Sequence, residues 1–157
     1  MGLRAGTVDG FNNPNDSYIG GAFSIYTKNQ NRWIYGVEYL AKEYKYKDIY
    51  IPKAQFTAEV GHYVMFLSDQ SKTLFVSFGG SLMGGYETSN WGDKLLYDGA
   101  TLKNRDGFIY GGAVSLEVEI YLTDNIVLLL DGRERLLWGK TINHFHNQLG
   151  AGLKFIL

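Results

Sequence analysis

Two glutamates spaced two residues apart, Glu117 and Glu119, are the first candidates for chemistry in this sequence. On a β-strand such residues point to the same side, so the two carboxylates would be placed as a general acid and a general base. The next segment brings Asp131, Arg133 and Arg135 at the same spacing. Arginines beside the glutamates would keep both ionised, and no nucleophile accompanies them. The pattern therefore favours structural ion pairs over catalysis, and we predict no catalytic residue and no enzyme activity.

The three histidines are the other candidates, and none belongs to a recognisable site. His144 and His146 form an H-x-H pair that could bind a transition metal, but such a site needs further ligands and none is marked. His62 falls among apolar residues, where an imidazole is more often packed than liganding. The absence of cysteine excludes disulfides and thiolate zinc sites, and no phosphate-, dinucleotide- or calcium-binding signature appears. We predict no metal and no cofactor.

Composition points to an all-β protein. The chain has 15% aromatic residues, 20 glycines and only two prolines, a mixture typical of twisted strands. Its net charge of −1, without a basic block, argues against direct binding of nucleic acid. No apolar run approaches the roughly 18 to 20 residues of a membrane-spanning helix. We expect one domain over residues 1–157, with any leader peptide absent from this sequence.

Alternation of apolar and polar residues recurs along the chain and predicts eight strands. The predicted strands are 3–8, 18–26, 32–46, 53–66, 72–86, 107–121, 126–135 and 148–157. Short connections at 28–31, 68–71 and 122–125 contain the Asn, Asp and Ser of tight turns. They alternate with longer connections at 9–17, 47–52, 87–106 and 136–147. In a meander all short turns then lie at one end and all long loops at the other, which is typical of a bacterial outer-membrane barrel.

The alternation gives the strands two faces, one of charged and small residues and one of bulky apolar residues. A soluble barrel turns its apolar face inward, and a membrane barrel turns it outward. The small residues of the polar face indicate crowding, because an eight-stranded barrel is just wide enough for side chains to fill. We therefore predict an eight-stranded antiparallel up-and-down β-barrel of outer-membrane type with polar residues inside. A soluble lipocalin-like barrel that binds a small apolar ligand, with apolar residues inside, stays open as the alternative.

The polar face carries equal numbers of cations and anions. They are Arg4, Lys42, Arg133, Arg135 and Lys154, against Glu38, Glu59, Glu117, Glu119 and Asp131. Unpaired charges would cost several kcal/mol each in a poorly hydrated interior, so we expect a structural ion network in a closed lumen. In it Arg133 and Arg135 face carboxylates from neighbouring strands. Glu134 has the opposite phase, and we expect it near the headgroup or loop boundary.

The long connection at 87–106 is the candidate contact surface for a partner. It carries Trp91, Leu95, Leu96 and Tyr97, and loops displayed on a rigid scaffold often carry binding. A variable outer loop without a fixed partner is the other interpretation. Outward aromatic residues, Trp33 near the short turns and Tyr86, Tyr110 and Trp138 near the long loops, predict two girdles at the membrane surfaces.

Six segments that together span nearly the whole chain carry a family resemblance. They read NRWIYGVEYL, YKDIYIPKAQFTAEVGHY, FLSDQSKTLF, GYETSNWGDKLLYDGATLKNRDGFIYGGAVSLEVEIYLTD, RERLLWG and FHNQLGAGLKF. They resemble the TraO-type family of conjugative-transposon transfer proteins from Bacteroides-like bacteria. The resemblance implies a component of a DNA-transfer system in the outer membrane or cell envelope of a Gram-negative bacterium. The resemblance also implies other transfer-apparatus proteins as partners, and no active-site residue can be carried over. Membrane lipid is a further expected partner because of the predicted outer-membrane barrel.

Overall fold

The computed structural model describes residues 1–9, 16–46, 49–89, 106–139 and 144–156, which form a closed antiparallel barrel of eight strands. The strands are β1 (Gly2–Val8), β2 (Ser17–Tyr26), β3 (Arg32–Tyr46), β4 (Ile49–Ser68), β5 (Leu74–Ser89), β6 (Gly107–Tyr121), β7 (Ile126–Gly139) and β8 (Phe145–Phe155). Each strand pairs with its neighbours in sequence, and β1 pairs with β8 to close the barrel. The predicted all-β, up-and-down barrel is confirmed. Among the described residues no helix is long and apolar enough to cross a membrane.

Three short connections join the strands at one end of the barrel, as predicted. Between β2 and β3 a 3-10 turn covers Lys28–Gln30, and Asn29 adopts a left-handed φ of 61°. The Thr27 hydroxyl donates to the Asn31 carbonyl at 3.0 Å. Between β4 and β5 the carboxylate of Asp69 accepts from the backbone amides of Thr73 and Leu74 at 2.7 and 2.9 Å. These local bonds hold each hairpin in register.

Replacing Asp69 by alanine is expected to loosen the β4–β5 turn without opening the barrel. The amide of Leu74, and then that of Thr73, hold the pKa of the Asp69 carboxyl below its usual range. Because this pKa is lowered, the stability that the two hydrogen bonds contribute is fully present above the ordinary pKa of aspartate. That stability is lost as the pH falls through the lowered pKa. Amide hydrogen exchange in detergent micelles at neutral pH should therefore speed up at Thr73 and Leu74. Asp124→Ala, in the β6–β7 turn, is the control and should leave both rates unchanged.

At the opposite end the strands run further than the sequence predicted. β3 and β4 stay paired out to Tyr46 and Ile49, so most of the connection predicted at 47–52 is strand. β7 continues to Gly139 and β8 begins at Phe145, which shortens the loop predicted at 136–147. The alternation is lost at some positions there because part of the interior at this end is apolar. The buried residues Met83, Ile109, Ala113 and Leu137 form one such cluster, and Val8, Tyr18 and Leu40 form another.

Burial separates the two faces of the wall. Val37, Leu82 and Phe108 point outward and are 66, 77 and 80% exposed, whereas the ten charged residues of the predicted network are buried inside. An enclosed cavity bounded by Arg4, Glu117 and Lys154 has a volume of only about 10 Å³, close to one water. The predicted polar interior is confirmed. The soluble lipocalin-like alternative is contradicted, because it required apolar residues around an internal ligand and the interior is filled with ion pairs.

The outward aromatic residues gather towards the two ends of the barrel. Trp33 lies one residue after the start of β3, beside the short turns, and its ring centroid is 4.8 Å from that of His62. Tyr86 and Phe108 meet edge to face at 5.7 Å near the long-loop end. Tyr110, Trp138 and Phe145 are exposed at the same end. His62 is therefore packed on the outer face, as the apolar phase of its strand predicted.

Inward glycines make room for large polar side chains. A Cβ at Gly79 would lie 2.5 Å from the ring of Tyr63, and one at Gly150 would lie 1.9 Å from the Tyr18 hydroxyl. The Tyr63 hydroxyl accepts from Arg133 at 3.3 Å, so the space left by Gly79 positions a partner of the ion network. The many small residues of the polar face thus reflect a full lumen.

Gly79→Ala is expected to destabilise the barrel by about 1–3 kcal/mol, the usual cost of overpacking. Its neighbour Gly80 faces outward, and the nearest atom to a Cβ there is 4.0 Å away. Gly80→Ala is therefore the matched control and should be nearly neutral. Urea unfolding of the two variants in micelles, followed by tryptophan fluorescence, measures the difference. Equal stabilities would contradict the crowding of Gly79 by Tyr63.

Candidate functional site

The centre of the lumen holds five charged side chains, Arg4, Glu38, Glu59, Arg133 and Arg135, which we call the central cluster. The carboxylate of Glu59, on β4, forms salt bridges with Arg4 at 2.7 Å and with Arg133 at 3.1 Å. The carboxylate of Glu38, on β3, forms salt bridges with Arg135 at 2.8 Å and with Arg133 at 3.4 Å. All five are buried. Arg133 thus joins the two carboxylates, and guanidinium groups suit that bridging role better than lysine.

Neutral side chains complete the hydrogen bonding of the central cluster. Arg133 donates from Nε to Ser115 at 3.1 Å, and Arg135 donates to Thr57 at 3.3 Å. Gln148 donates to Glu38 at 2.8 Å, and Ser81 donates to Glu59 at 3.3 Å. Charges taken out of water need such partners on their remaining lone pairs and protons. The network therefore extends well beyond the ions themselves.

A second group, the turn-end cluster, contains Tyr26, Arg32, Glu117, Glu119 and Lys154 near the short connections. Arg32 pairs with both glutamates, at 3.3 Å to Glu119 and closely to Glu117. Lys154 pairs with the same two, at 3.6 Å to Glu117 and closely to Glu119. The Tyr26 hydroxyl donates to Glu119 at 2.9 Å. The carboxylates that first suggested acid–base chemistry are each paired with two cations in the lumen.

A third group, the mouth cluster, lies towards the long loops. Lys53 pairs with Glu87 at 3.0 Å, and Gln55 donates to the same carboxylate at 2.7 Å. Asp9, just beyond β1, pairs with Lys42 and accepts from the backbone amide of Asn147 at 2.9 Å. His146 is buried, with Nδ1 3.3 Å from the Asp9 carboxylate. These contacts fasten the ends of β1, β3 and β8 to one another.

The structure places nine of the ten network residues predicted from the sequence in these three clusters. Asp131 is also buried, but its carboxylate accepts from the Tyr18 hydroxyl at 3.1 Å. In the described part of the chain no cation lies within 4.0 Å of it. Asp131 is therefore held by a tyrosine and lies outside the three clusters.

The prediction that Arg133 and Arg135 pair with carboxylates on neighbouring strands is wrong. Both arginines reach across the lumen from β7 to β3 and β4, whereas we expected carboxylates on neighbouring strands. The register explains this, because the residues beside Arg133 are Ser115 and Gln148. In a barrel this narrow, the opposite wall lies within the length of an arginine.

Several residues of the network were missed by sequence reasoning. Arg32 shares the phase of Glu38 on β3, and Lys53 and Gln55 share the phase of Thr57 on β4. Glu87 was assigned to a loop, although it lies on β5. Continuing each alternation to the observed ends of the strands would have found all of them.

The other sequence candidates do not assemble into a site. His144 lies outside β8, with Nδ1 2.8 Å from the Leu137 carbonyl oxygen, while His146 turns inward. Among the described residues no group of three His, Cys, Asp or Glu side chains could hold a metal ion. The predicted partner-contact residues Trp91, Leu95, Leu96 and Tyr97 lie outside the described residues.

Comparison with known proteins identifies a solved structure of similar fold and a sequence family. The chain is similar to the crystal structure of Neisserial surface protein A (NspA), with a TM-score of 0.67 and 14% identity, over 99% of this chain and 95% of that chain. At that identity the likeness concerns the fold alone. No curated protein matches the sequence. The family described as conjugative transposon protein TraO matches residues 2–157, nearly the whole chain, so the protein belongs to the TraO family of conjugative transposon proteins.

Proposed function

We propose that this TraO-family chain is a non-enzymatic outer-membrane barrel of a conjugative DNA-transfer system, which displays its long loops to other transfer proteins. The observation that carries the proposal is the combination of an apolar outer wall with a charged, filled interior. The family supplies the link to conjugation, and the likeness to a surface protein of the same fold agrees with a place in the envelope.

The outer wall supports placement in a bilayer. Large apolar side chains such as Ile19, Val37, Phe56, Leu82 and Leu149 are about half exposed or more, on strands all around the barrel. A soluble monomer rarely exposes contiguous apolar patches larger than a few hundred Å². Aromatic side chains at both ends of the wall match the girdles of outer-membrane barrels. Lipid is therefore the partner of this face.

The closed lumen supports a structural role for the ion network. The three clusters cross-link strands that are not neighbours, as Arg133 does between β7 and β4. No passage for an ion or a strand of DNA is left in an eight-stranded barrel whose interior is filled by side chains. Partner binding is therefore assigned to the loops, with Trp91, Leu95, Leu96 and Tyr97 as the proposed contact residues.

Cell fractionation and mating test this function together. A donor strain that lacks the gene should produce fewer transconjugants, and the wild-type gene should restore them. A variant with Trp91, Leu95, Leu96 and Tyr97 all changed to serine should accumulate in the outer membrane at normal levels and still fail to restore transfer. Wild-type protein in the soluble periplasmic fraction would sink the outer-membrane assignment. Full transfer by the serine variant would remove the loops as the contact surface.

A further inference from the structure

An open groove runs across the outer face of the wall from β3 to β8, from the short-turn end to the long-loop end. Its ends are marked by Trp33 and His62 on one side and by Trp138 and Phe145 on the other, and its volume is about 1030 Å³. The floor is bare backbone at Gly80 and Gly112, where a Cβ would meet no side chain within 4 Å. Small residues of this kind let another chain approach closely within a membrane.

The wall of this groove contains one carboxylate, that of Glu134. Glu134 faces outward and is exposed, in register with Val114 on β6 and Asn147 on β8. Val114 is the middle residue of the 15-residue strand β6, and Asn147 lies near the start of β8, where its backbone amide donates to Asp9. The expected position of Glu134 near the headgroup or loop boundary stays a prediction. Within the described part of the chain, no cation or hydrogen-bond donor contacts its carboxylate. An ionisable side chain on a wall that faces lipid is costly unless it is paired, and it is therefore a candidate functional position.

A second copy of the chain offers no outward-facing cation for Glu134 among the strand residues whose side chains are described. Among the described residues whose side chains are defined, the exposed lysines are Lys28 and Lys72, both in or beside the short turns. The arginines of the strands all point into the lumen. Two copies joined symmetrically at the groove would bring carboxylate against carboxylate. For the described residues, charge complementarity and this clash favour a different protein as the source of the cation.

We propose that the groove formed by Gly80, Gly112 and Glu134 is an intramembrane docking site for an apolar segment of another envelope protein, with a Lys or Arg side chain that pairs with Glu134. The glycines admit the backbone or small side chains of the segment, and the carboxylate fixes its depth. The inference rests on the outer-membrane placement proposed above and adds a lateral contact to the one proposed for the loops.

Binding of model peptides in lipid vesicles tests the docking site. The chain has no cysteine, so a Ser71→Cys label in a short turn can report energy transfer from labelled peptides. The probes are two Leu/Ala peptides of about 20 residues, one with a central lysine and one with leucine in its place. The lysine peptide should bind about tenfold more tightly, and E134Q should abolish that preference. Gly80→Leu should weaken binding of both peptides, whereas Gly84→Leu, outside the groove on the same strand, should not.

The outcomes separate the two proposals. Equal affinity of the two peptides for the wild type, or an unchanged preference in E134Q, overturns the docking site while leaving the barrel in the membrane. Energy transfer between two labelled copies that E134Q removes would assign the groove to self-association and also overturn it. Insertion is measured in the same vesicles by heat-modifiable gel mobility and protease protection. A barrel that does not insert overturns the outer-membrane placement and the docking site together.

Discussion

Glu59→Gln should destabilise the barrel by about 3–5 kcal/mol, the cost of leaving a buried charge without its partner. Glu59 is the carboxylate shared by Arg4 and Arg133. Glutamine keeps the shape but removes the charge, so Arg4 loses its ion pair and Arg133 retains only Glu38. Urea titrations in micelles, with heat-modifiable mobility as the second probe, give the free energy of unfolding.

Two further variants make this result specific. Ser81→Ala removes a neutral donor to the same carboxylate, 3.3 Å away, and should cost about 0.5–1.5 kcal/mol. Adding Arg4→Met to Glu59→Gln removes one of the cations left without a partner. The double variant should therefore recover part of the lost free energy of unfolding. A loss in Glu59→Gln no larger than that of Ser81→Ala would mean that the central cluster contributes little. A double variant less stable than Glu59→Gln would mean that Arg4 acts through packing.

Val37→Arg should cost about 2–4 kcal/mol in a lipid bilayer, the penalty for a cation on the lipid-facing side of a barrel near its midplane. Val37 is 66% exposed, lies roughly 13 Å along β3 from Trp33 at 3.3 Å per residue, and is flanked in register by Gly21 and Ala58. Neither neighbour could shield a guanidinium group. On a wall that faced water, the same substitution would change the stability by less than about 0.5 kcal/mol.

Leu122→Arg is the matched control for Val37→Arg. Leu122 is 57% exposed but lies in the turn after β6, where the cost should be no more than about 1 kcal/mol. Unfolding titrations of both variants in phosphatidylcholine vesicles measure the difference. Similar, small effects at the two positions would refute the lipid-facing assignment of the wall.

The architecture could be read from the sequence because a barrel wall has one periodicity. In β6, residues 113 to 120 alternate without interruption, and the faces follow from that pattern. The pattern fails where the interior becomes apolar. Leu136 and Leu137 are both apolar, yet Leu137 is buried inside and Leu136 is on the outer wall. The alternation could not show that β7 continues there, so its predicted end was too early.

Which residues belong to the ion network was largely predictable, but which of them pair with each other was not. A residue's face depends on its own strand, so Arg133 and Glu38 could each be placed in the lumen. Their contact depends on how eight strands are staggered around a closed circle, and no local pattern encodes that stagger. The neighbours of Glu134 in the wall, Val114 and Asn147, likewise follow from the strand pairing, which only the closed barrel defines.

The seam between β1 and β8 has a consequence for folding kinetics. The N-terminal amine of Met1 donates to the Phe155 carbonyl across 154 positions of sequence, and Arg135 meets Glu38 across 97. Contacts so distant in sequence form late and slowly. Until the seam closes, an unfinished barrel has arginines and glutamates without their partners, and lipid would not accept them. We therefore expect insertion and closure to occur in one concerted step, with no stable half-barrel in the bilayer.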